Sequence, residues 1–494
     1  MDGGVYKVRM MLSRYVSAFC LVVVLLVYGL WIGRHVEAWA GGSDSSGYMN
    51  NARLLERMEF KLKRREIEGL SSKDLPSFTY VPLGFVPVGE HEMVPTYPMG
   101  LPLMILGLSS VVGWDHAANT AMLLNALLAV ATVYCLSIVM GLSLPLALLS
   151  TVFLGFSSLF VLFSLQLMSD VPALAWCAVA ILSALLSSRN ASWALLAGAA
   201  FSMCVLIRPA NLLLLLPLAV IFGFAWKRWL LFGLGGIPGA IFQAKVNLQL
   251  YGSVFTTGYG DVRNLFRAKY LGWSAQAYAR WLPVCLTPAL IFLAGVPFVS
   301  ALRGKRSVIA LVVWAAVFLG FYAFYFHTSE TWWYLRFVLP AFGAMIVLML
   351  LVMREAAARF SGRVRWTLGL TLMALAIGWN VIWIQRLGVV GRGEASYLEA
   401  AAWAKEKVPR NAVILSMQTS GSLLYYTGFT IVRYDEFDRV SFAGVEQACI
   451  TADRPIYAML FPFETDEVLR IRAPGNWTRI GSIEPITIWR REPT

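Results

Sequence analysis

The 494-residue sequence has few charged side chains and few cysteines. Charged residues make up 14% of the chain and hydrophobic residues 58%, whereas soluble domains carry about 25% charged residues. This composition excludes a soluble enzyme and a disordered protein, and it predicts a chain that lies mostly in lipid. Of the six cysteines only Cys449 lies in the polar C-terminal tail, which begins at about residue 392. A secreted disulfide scaffold is therefore also excluded.

The sequence also lacks the common signatures of catalytic and transport proteins. It contains no Gly-rich phosphate loop, no Ser-His-Asp order, no Cys/His metal spacing and no repeat at a fixed period. The net charge is +13, yet the segment 392–494 carries 12 Lys/Arg against 13 Asp/Glu. The basic excess therefore belongs to the membrane part, where it marks cytoplasmic loops, and no nucleic-acid partner is predicted.

Long apolar runs predict about 11 transmembrane helices. The first run, 15–32, follows Lys7, Arg9 and Arg14, and we interpret it as an uncleaved span. The alternative is a signal peptide, but a small-residue cleavage site is not evident. The shorter run 97–112 is predicted to be a re-entrant or juxtamembrane helix. The later predicted spans are 117–140, 146–165, 171–187, 191–207, 209–225, 229–250, 277–300, 307–326, 336–353 and 366–388.

The basic clusters set the expected topology. With the N-terminus in the cytoplasm, the clusters at 227–228, 303–306 and 354–365 all fall in cytoplasmic loops. We therefore expect a multi-pass protein of the bacterial inner membrane with a periplasmic C-terminal domain. The predicted outer loops are 34–116, 166–170, 251–276 and 327–335.

Two domains are expected: a transmembrane domain over 1–390, with a long first outer loop, and a small soluble α/β domain over 391–494. Within the latter, alternating patterns predict a sheet covered by helices. The predicted helices are 397–407, 420–426 and 464–471, and the predicted strands are 412–415, 430–432, 455–460 and 486–489.

Two acids fall in predicted outer loops close to the membrane. Asp44 lies in the run Gly42-Ser43-Asp44-Ser45-Ser46, and Asp170 precedes Val171-Pro172 at the start of a span. A carboxylate beside lipid is costly unless it is paired or used. Two such acids on one face could divide acid/base work or hold a divalent cation. The alternative is that each caps the N-terminus of a helix, for which Ser46 is a further candidate.

Two arginines lie next to apolar spans. Arg208 precedes Pro209, and Arg336 follows the aromatic run Trp332-Trp333-Tyr334. A guanidinium is well suited to a substrate phosphate. The alternative is that these side chains reach toward lipid headgroups beside an aromatic belt. Weaker candidates are His91, Glu92, the loop 258–263, His327 and Glu330.

The order of these motifs resembles the GT-C superfamily of membrane glycosyltransferases. The closest resemblance is to protein O-mannosyltransferases and lipid A aminoarabinose transferases, and it covers about residues 10–390. It depends on the stretch 42–55, on Tyr97-Pro98-Met99-Gly100 and on Ser169-Asp170-Val171-Pro172. The sequence has Tyr97 where the aminoarabinose transferases have lysine, and Ser45 where some members have a second acid. The tail also resembles the α/β periplasmic domain of some members.

The resemblance implies roles for several of these residues. Asp44 matches the catalytic acid of the first loop, Asp170 the acid of the second loop, and Arg336 an arginine near the donor phosphate. The implied partners are a polyprenyl-phosphate-linked sugar, the bilayer and an acceptor that the sequence does not identify. We expect Asp44 and Asp170 to be the catalytic residues and the substrate site to include Arg336, Arg208, Tyr97, Tyr48 and Tyr334. A divalent cation is a candidate ligand of Asp44 and Asp170.

Two other functions are compatible with the same residues. A transporter or flippase of lipid-linked saccharides also needs acids and arginines near the membrane, but it would leave the sugar–phosphate bond intact. A structural assembly factor acting through the tail would need only that tail. The acids' location on one predicted face favours a transferase, in which the sugar would be transferred to an acceptor hydroxyl with inversion.

Overall fold

The computed structural model describes residues 2–70, 73–391 and 393–492, with side chains from residue 15 onward. The basic side chains before the first span lie outside this part. The chain divides into two compact units. Unit 1 comprises the described residues of 1–36, 122–242 and 261–391. Unit 2 comprises those of 37–121, 243–260 and 392–494. The first and third of these segments in unit 2 are far apart in sequence.

Unit 1 is formed by helices, two of which, Trp114–Val139 and Trp226–Tyr251, continue into unit 2. The α-helices are Asp2–Gly33, Trp114–Val139, Leu144–Gly155, Ser158–Leu165, Asp170–Leu186, Trp193–Ile207, Leu215–Phe222, Trp226–Tyr251, Leu271–Cys285, Arg306–Ala323, Phe342–Ala357 and Gly362–Arg386. Short 3-10 helices are Pro209–Leu214, Arg263–Leu265, Ala268–Tyr270, Pro288–Phe298, Ser300–Leu302, Phe326–Ser329 and Trp332–Ala341.

Within the described residues, six helices are long and apolar enough to cross a membrane, or eight if each of two bent pairs forms one span. Three predicted spans, 171–187, 191–207 and 209–225, correspond to apolar helices of only 10–17 residues. The protein is therefore a predominantly helical membrane protein, and the count of about 11 spans stays a prediction. The segment predicted as a short helix forms Gly100–Val112, well below the usual spanning length.

Two spans predicted as single helices are broken. The run 146–165 forms two helices that meet at 61°, and the run 277–300 contains a bend of 113° between Cys285 and Pro288. Proline has no backbone N–H, so Pro288 cannot continue the preceding helix and instead begins a new one. Thr287 caps that new helix, since its hydroxyl accepts a hydrogen bond of 3.2 Å from the Ala289 N–H.

Unit 2 combines helices with two sheets. Its helices outside the shared ones are Ser43–Glu56, Gly100–Val112, Ala395–Lys407, Ser420–Tyr426, Tyr434–Glu436, Arg439–Thr451, Pro462–Asp466 and Glu467–Arg472. Strands β1 (Leu62–Lys63), β2 (Phe85–Val88) and β3 (Glu92–Pro95) form an antiparallel sheet in the order β1-β3-β2. The tail contributes β4 (Val413–Leu415), β5 (Thr430–Val432), β6 (Ile456–Leu460), β7 (Trp477–Ile483) and β8 (Ile486–Arg491).

The five tail strands form a mixed sheet in the order β5-β4-β6-β8-β7. Strand β4 runs parallel to β5 and β6, whereas β8 runs antiparallel to β6 and β7. Strands β4, β5 and β6, the parallel part of the sheet, are buried along their whole length, as expected for parallel strands covered on both faces. The Ala395–Lys407 helix packs its small residues Ala400, Ala401 and Ala404 into this core.

The segment 37–121 shares this hydrophobic core with the tail. Leu54, Val81, Phe85 and Met93 are all buried in the same cluster as the tail residues Ile414, Leu423, Met459 and Ile488. Main-chain hydrogen bonds connect them too, such as the Arg433 N–H to the Thr79 carbonyl at 2.8 Å. Unit 2 is therefore built from distant parts of the chain rather than from 391–494 alone.

Candidate functional site

Asp170 lies at the centre of a buried ion cluster in unit 1. It is the first residue of the Asp170–Leu186 helix, and its side chain is only 1% exposed. The Arg208 Nη1 donates a hydrogen bond of 2.7 Å to its Oδ1, and the Arg336 Nη1 lies 3.9 Å from its Oδ2. The helix cap is Ser169 and forms no side-chain capping bond, so the capping alternative for Asp170 is wrong.

The position of Arg208 follows from the proline after it. A residue before proline is driven out of the helical conformation, and Arg208 is extended at φ −148° and ψ 115°. The Trp193–Ile207 helix therefore ends there, and the guanidinium meets Asp170. Arg336 lies on the 3-10 helix Trp332–Ala341.

Aromatic rings surround both guanidinium groups. The centroid of the Phe337 ring lies 5.2 Å from the guanidinium carbon of Arg208 and 5.2 Å from that of Arg336. The ring centroids of Phe163 and Tyr334 lie 5.8 and 6.0 Å from the guanidinium carbon of Arg336. Arginine stacks well on aromatic faces. The two side chains are only 12% and 15% exposed, so they do not extend freely toward lipid headgroups as the alternative required.

The cluster contains two fixed positive charges and one negative charge. Arginine stays protonated in proteins, so the three groups carry a net charge of about +1. Such a site attracts an anion such as a phosphate. It is a poor cation site because the Asp170 carboxylate already faces two guanidinium groups. Among the described residues, no group of three or more His, Cys, Asp and Glu side chains is arranged to hold a metal ion.

Asp44 belongs to unit 2 and lies in the first turn of the Ser43–Glu56 helix. The cap of this helix is Gly42, which has no side chain. The prediction that Asp44 or Ser46 caps the helix is therefore wrong. The half-buried carboxylate of Asp44 forms a hydrogen bond with the Tyr97 phenol. This phenol also shares a hydrogen bond of 2.7 Å with the Ser43 hydroxyl.

The environment of Tyr97 keeps its phenol protonated. Burial raises the pKa of Tyr97 well above its usual value, and the charge of Asp44 and the hydrogen bond to that carboxylate raise it further. The Tyr48 ring packs 5.1 Å from the Tyr97 ring, and Tyr259 lies 6.2 Å away on its edge. Tyr97 is thus a neutral donor next to the candidate acid, enclosed by aromatic rings.

Close backbone packing brings Tyr97 to this helix. A Cβ at Gly47 would lie 2.6 Å from the Tyr97 Cε2 and 3.2 Å from the Gly84 Cα, so only glycine fits there. Gly84 has a φ of +92°, which L-residues other than glycine rarely adopt. These two glycines let the segment around Tyr97 contact the first turns of the Asp44 helix.

The structure therefore gathers the predicted residues into one group in each unit. Asp170, Arg208, Arg336 and Tyr334 lie together in unit 1. Asp44, Tyr48 and Tyr97 lie together in unit 2.

Glu394 is a buried acid of unit 2 that no sequence pattern indicated. The Glu394 Oε1 accepts hydrogen bonds from the Gly42 N–H at 3.0 Å and from the Ser45 hydroxyl at 2.7 Å. Glu394 and Ser45 are 349 residues apart in the chain. A local pattern could not reveal this contact, because each residue is unremarkable in its own stretch of sequence.

The weaker sequence candidates form ordinary surface pairs. His91 contacts Glu66 at 3.1 Å, and Glu92 pairs with Lys61 at 3.1 Å. In the loop 258–263, Asp261 pairs with the exposed Arg263. His327 pairs with Glu330 at 2.7 Å and packs against the Tyr334 ring. Exposed pairs of this kind contribute little stability and do not indicate a reaction centre.

The fold defines a polytopic helical membrane protein, and unit 1 contains a buried ion cluster. The solved structures similar to this chain include those of three proteins. ArnT from Cupriavidus metallidurans bound to undecaprenyl phosphate matches with a TM-score of 0.57 at 13% identity, over 97% of this chain and 99% of that chain. The oligosaccharyltransferase AglB from Archaeoglobus fulgidus, in complex with an inhibitory peptide and a dolichol-phosphate, matches with 0.56 at 12% identity, over 91% and 70%. The arabinofuranosyltransferase AftD from Mycobacteria matches with 0.50 at 13% identity, over 97% and 41%.

These neighbours are GT-C glycosyltransferases, and the chain has the GT-C fold that its motifs predicted. At identities this low, the likeness shows the fold alone. No protein-family model matches the sequence, and no curated protein does either.

Proposed function

We propose that the protein is a membrane glycosyltransferase that transfers a sugar from a polyprenyl-phosphate donor to an acceptor hydroxyl. The observation that supports this most is the pair of buried arginines around Asp170 in a chain with the GT-C fold. Two of the similar structures contain a polyprenyl phosphate, undecaprenyl phosphate in one and dolichol-phosphate in the other. A buried guanidinium pair suits the phosphate of such a lipid.

In this proposal Arg208 and Arg336 bind the donor phosphate. When the bond between the anomeric carbon and the phosphate oxygen breaks, the oxygen keeps the electron pair and the phosphate gains negative charge. Guanidinium groups fixed in a buried site stabilise that growing charge without reorganising. Asp170 acts as a positioning residue, because its carboxylate holds both arginines in place. Tyr334 contributes its ring to the same group.

Asp44 is the proposed general base. As the acceptor oxygen attacks the anomeric carbon, its proton passes to the Asp44 carboxylate. The Tyr97 phenol donates to Asp44 and so holds the carboxylate in one orientation, and Tyr48 packs behind Tyr97. Attack opposite the leaving phosphate inverts the anomeric centre. We further propose that the reaction takes place on the periplasmic face of a bacterial inner membrane, as the distribution of basic residues predicts.

A transfer assay tests this proposal. The purified protein in proteoliposomes is incubated with undecaprenyl-phosphate-linked radiolabelled sugars and with an envelope extract that supplies acceptors. We expect the wild type to release undecaprenyl phosphate and to move the label to a non-lipid or different lipid product. Asp44→Asn should lower the rate about 10²- to 10⁴-fold, the usual contribution of a general base.

The control is Asp466→Asn, which makes the same substitution at an exposed acid of the tail and should keep the wild-type rate. Full activity of Asp44→Asn would disprove the role of Asp44. If the wild type instead moves the labelled lipid across the bilayer with its sugar–phosphate bond intact, the protein is a transporter and the proposal fails.

A further inference from the structure

The helix that carries Asp44 begins without a cap of its own. Gly42 occupies the capping position, so no side chain is available there to accept the first N–H groups. In a capping box, the third helical residue is Glu or Gln, and its side chain reaches back to the N–H of the cap. Here that residue is Ser45, whose hydroxyl donates to Glu394 instead.

Glu394, a residue of the tail, accepts the hydrogen bond from the N–H of the cap that the third helical residue would otherwise accept. Its Oε1 accepts both the Gly42 N–H at 3.0 Å and the Ser45 hydroxyl at 2.7 Å. The residue is only 7% exposed and lies immediately before the Ala395–Lys407 helix. It therefore takes the place that the glutamate of a capping box normally has, although it comes from the other end of unit 2's sequence.

The neighbouring backbone leaves room for this side chain. A Cβ at Gly41 would lie 2.5 Å from both the Cβ and the Cδ of Glu394, so any larger residue there would displace the carboxylate. Gly393 has a φ of +51°, a left-handed conformation that favours glycine just before Glu394. Two glycines thus allow the two chain segments to approach each other.

Electrostatics favour a carboxylate at this position. The N-terminus of a helix carries a partial positive charge, and a buried negative group there stabilises the helix. The tail also contacts the body of this helix and the segment before it: the Asn50 side chain donates to the Gly421 carbonyl at 3.0 Å, and the Ala40 N–H, ahead of the helix, donates to the Tyr426 hydroxyl at 3.0 Å. Glu394 brings a carboxylate from the tail to the turn in which Asp44 lies.

We propose that Glu394 is a positioning residue that caps the Asp44 helix, so that the tail fixes the orientation of the base. The part that concerns catalysis rests on the proposed function, whereas the capping contact stands without it. Loss of the Glu394 carboxylate should let the first turn of the helix open, and Asp44 would then leave its hydrogen bond with Tyr97 for part of the time.

Hydrogen exchange of the full-length protein in detergent tests the cap directly. The first intrahelical bond runs from the Ser46 N–H to the Gly42 carbonyl at 2.9 Å, so the amides of residues 46–49 report on opening of this turn. Glu394→Ala should speed their exchange about tenfold, the usual effect of removing a cap. Glu394→Gln keeps an acceptor oxygen and should stay within about threefold of the wild type.

The matched control is Glu406→Ala, which removes an exposed acid from the same tail helix and should leave exchange at 46–49 unchanged. If Glu394→Ala does not fold, Ser45→Ala removes one of the two donors and should give a smaller but measurable increase. Unchanged exchange at 46–49 in whichever variant folds would overturn the proposal.

Transfer kinetics then test the link to catalysis. Glu394→Ala should lower kcat at least tenfold with little change in the KM for the donor, because the arginine cluster of unit 1 is untouched. Rescue of kcat by Glu394→Gln would support a positioning role through hydrogen bonding. A raised KM with unchanged kcat would refute it. If the wild type is inactive on every donor, the proposed function is wrong. The hydrogen-exchange measurement still tests the capping contact in that case.

Discussion

Replacing Asp170 with asparagine removes the negative charge that two buried arginines share. At an effective dielectric constant of about 20, its attraction to Arg208 across 2.7 Å is about 6 kcal/mol, and to Arg336 across 3.9 Å about 4 kcal/mol, before desolvation. Measured losses on breaking buried pairs are about 3–5 kcal/mol, because the partner charge stays buried. We therefore expect Asp170→Asn to lower the free energy of unfolding by about 3–5 kcal/mol. At about 2 °C per kcal/mol, this corresponds to a fall in Tm of about 6–10 °C.

Thermal unfolding in mild detergent, followed by tryptophan fluorescence, measures this loss. Adding undecaprenyl phosphate should raise the Tm of Asp170→Asn more than that of the wild type, because the phosphate supplies the missing negative charge. The control is Glu355→Gln. It breaks the more exposed pair with Arg354 and should cost about 0–1 kcal/mol.

Two results would refute this reasoning. If Asp170→Asn unfolds at the wild-type temperature yet loses activity, Asp170 takes part in the reaction itself and does not serve to hold the arginines. If undecaprenyl phosphate stabilises the variant no more than the wild type, the phosphate does not bind at this cluster.

Gly47→Ala should destabilise the protein by about 1–3 kcal/mol, because its methyl group would clash with Tyr97 and Gly84; Gly107→Ala, with open space around it, is the control in the same unfolding measurement. Tyr97→Phe should lower the transfer rate about 10- to 100-fold by removing a hydrogen bond to a charged group, and an unchanged rate would contradict this role. The pKa of Tyr97 is raised by burial, so the folded state keeps a proton that the unfolded state loses above pH 10. The contribution of this proton to the free energy of unfolding is therefore fully present below pH 10 and is lost at higher pH. When both proteins are unfolded across pH 8–11, the free energy of unfolding of the wild type should fall more steeply with pH than that of Tyr97→Phe.

Local sequence patterns predicted the tail strands that form distinct apolar runs. The buried strands β4, β5 and β6 were predicted within about one residue, because each is a short apolar run between polar turns. The Arg439–Thr451 helix was missed, and so was β7, an edge strand with mixed burial and an internal glycine. The very short strands β1 to β3 lie in a stretch with no sustained alternation.

For the candidate site, the sequence predicted individual residues but not which of them pair. The acids and arginines were predicted individually, because a charged residue next to an apolar run is conspicuous. Their pairing was not, because Asp170 and Arg208 are 38 residues apart and meet through the packing of separate helices. The capping interpretation of both acids failed for a related reason: Ser169 and Gly42 occupy the caps, and the acids lie one or two residues inside.

In the proposed function the protein breaks the bond between a sugar and a polyprenyl phosphate. Mass spectrometry of the lipids that co-purify with the wild type and with Asp44→Asn, in mild detergent, tests it most directly. We predict a polyprenyl-phosphate sugar enriched in the variant, which binds the donor but cannot activate the acceptor, and its mass would identify the sugar. Only bulk phospholipid in both samples, together with no binding of added polyprenyl-phosphate sugars, would contradict the claim.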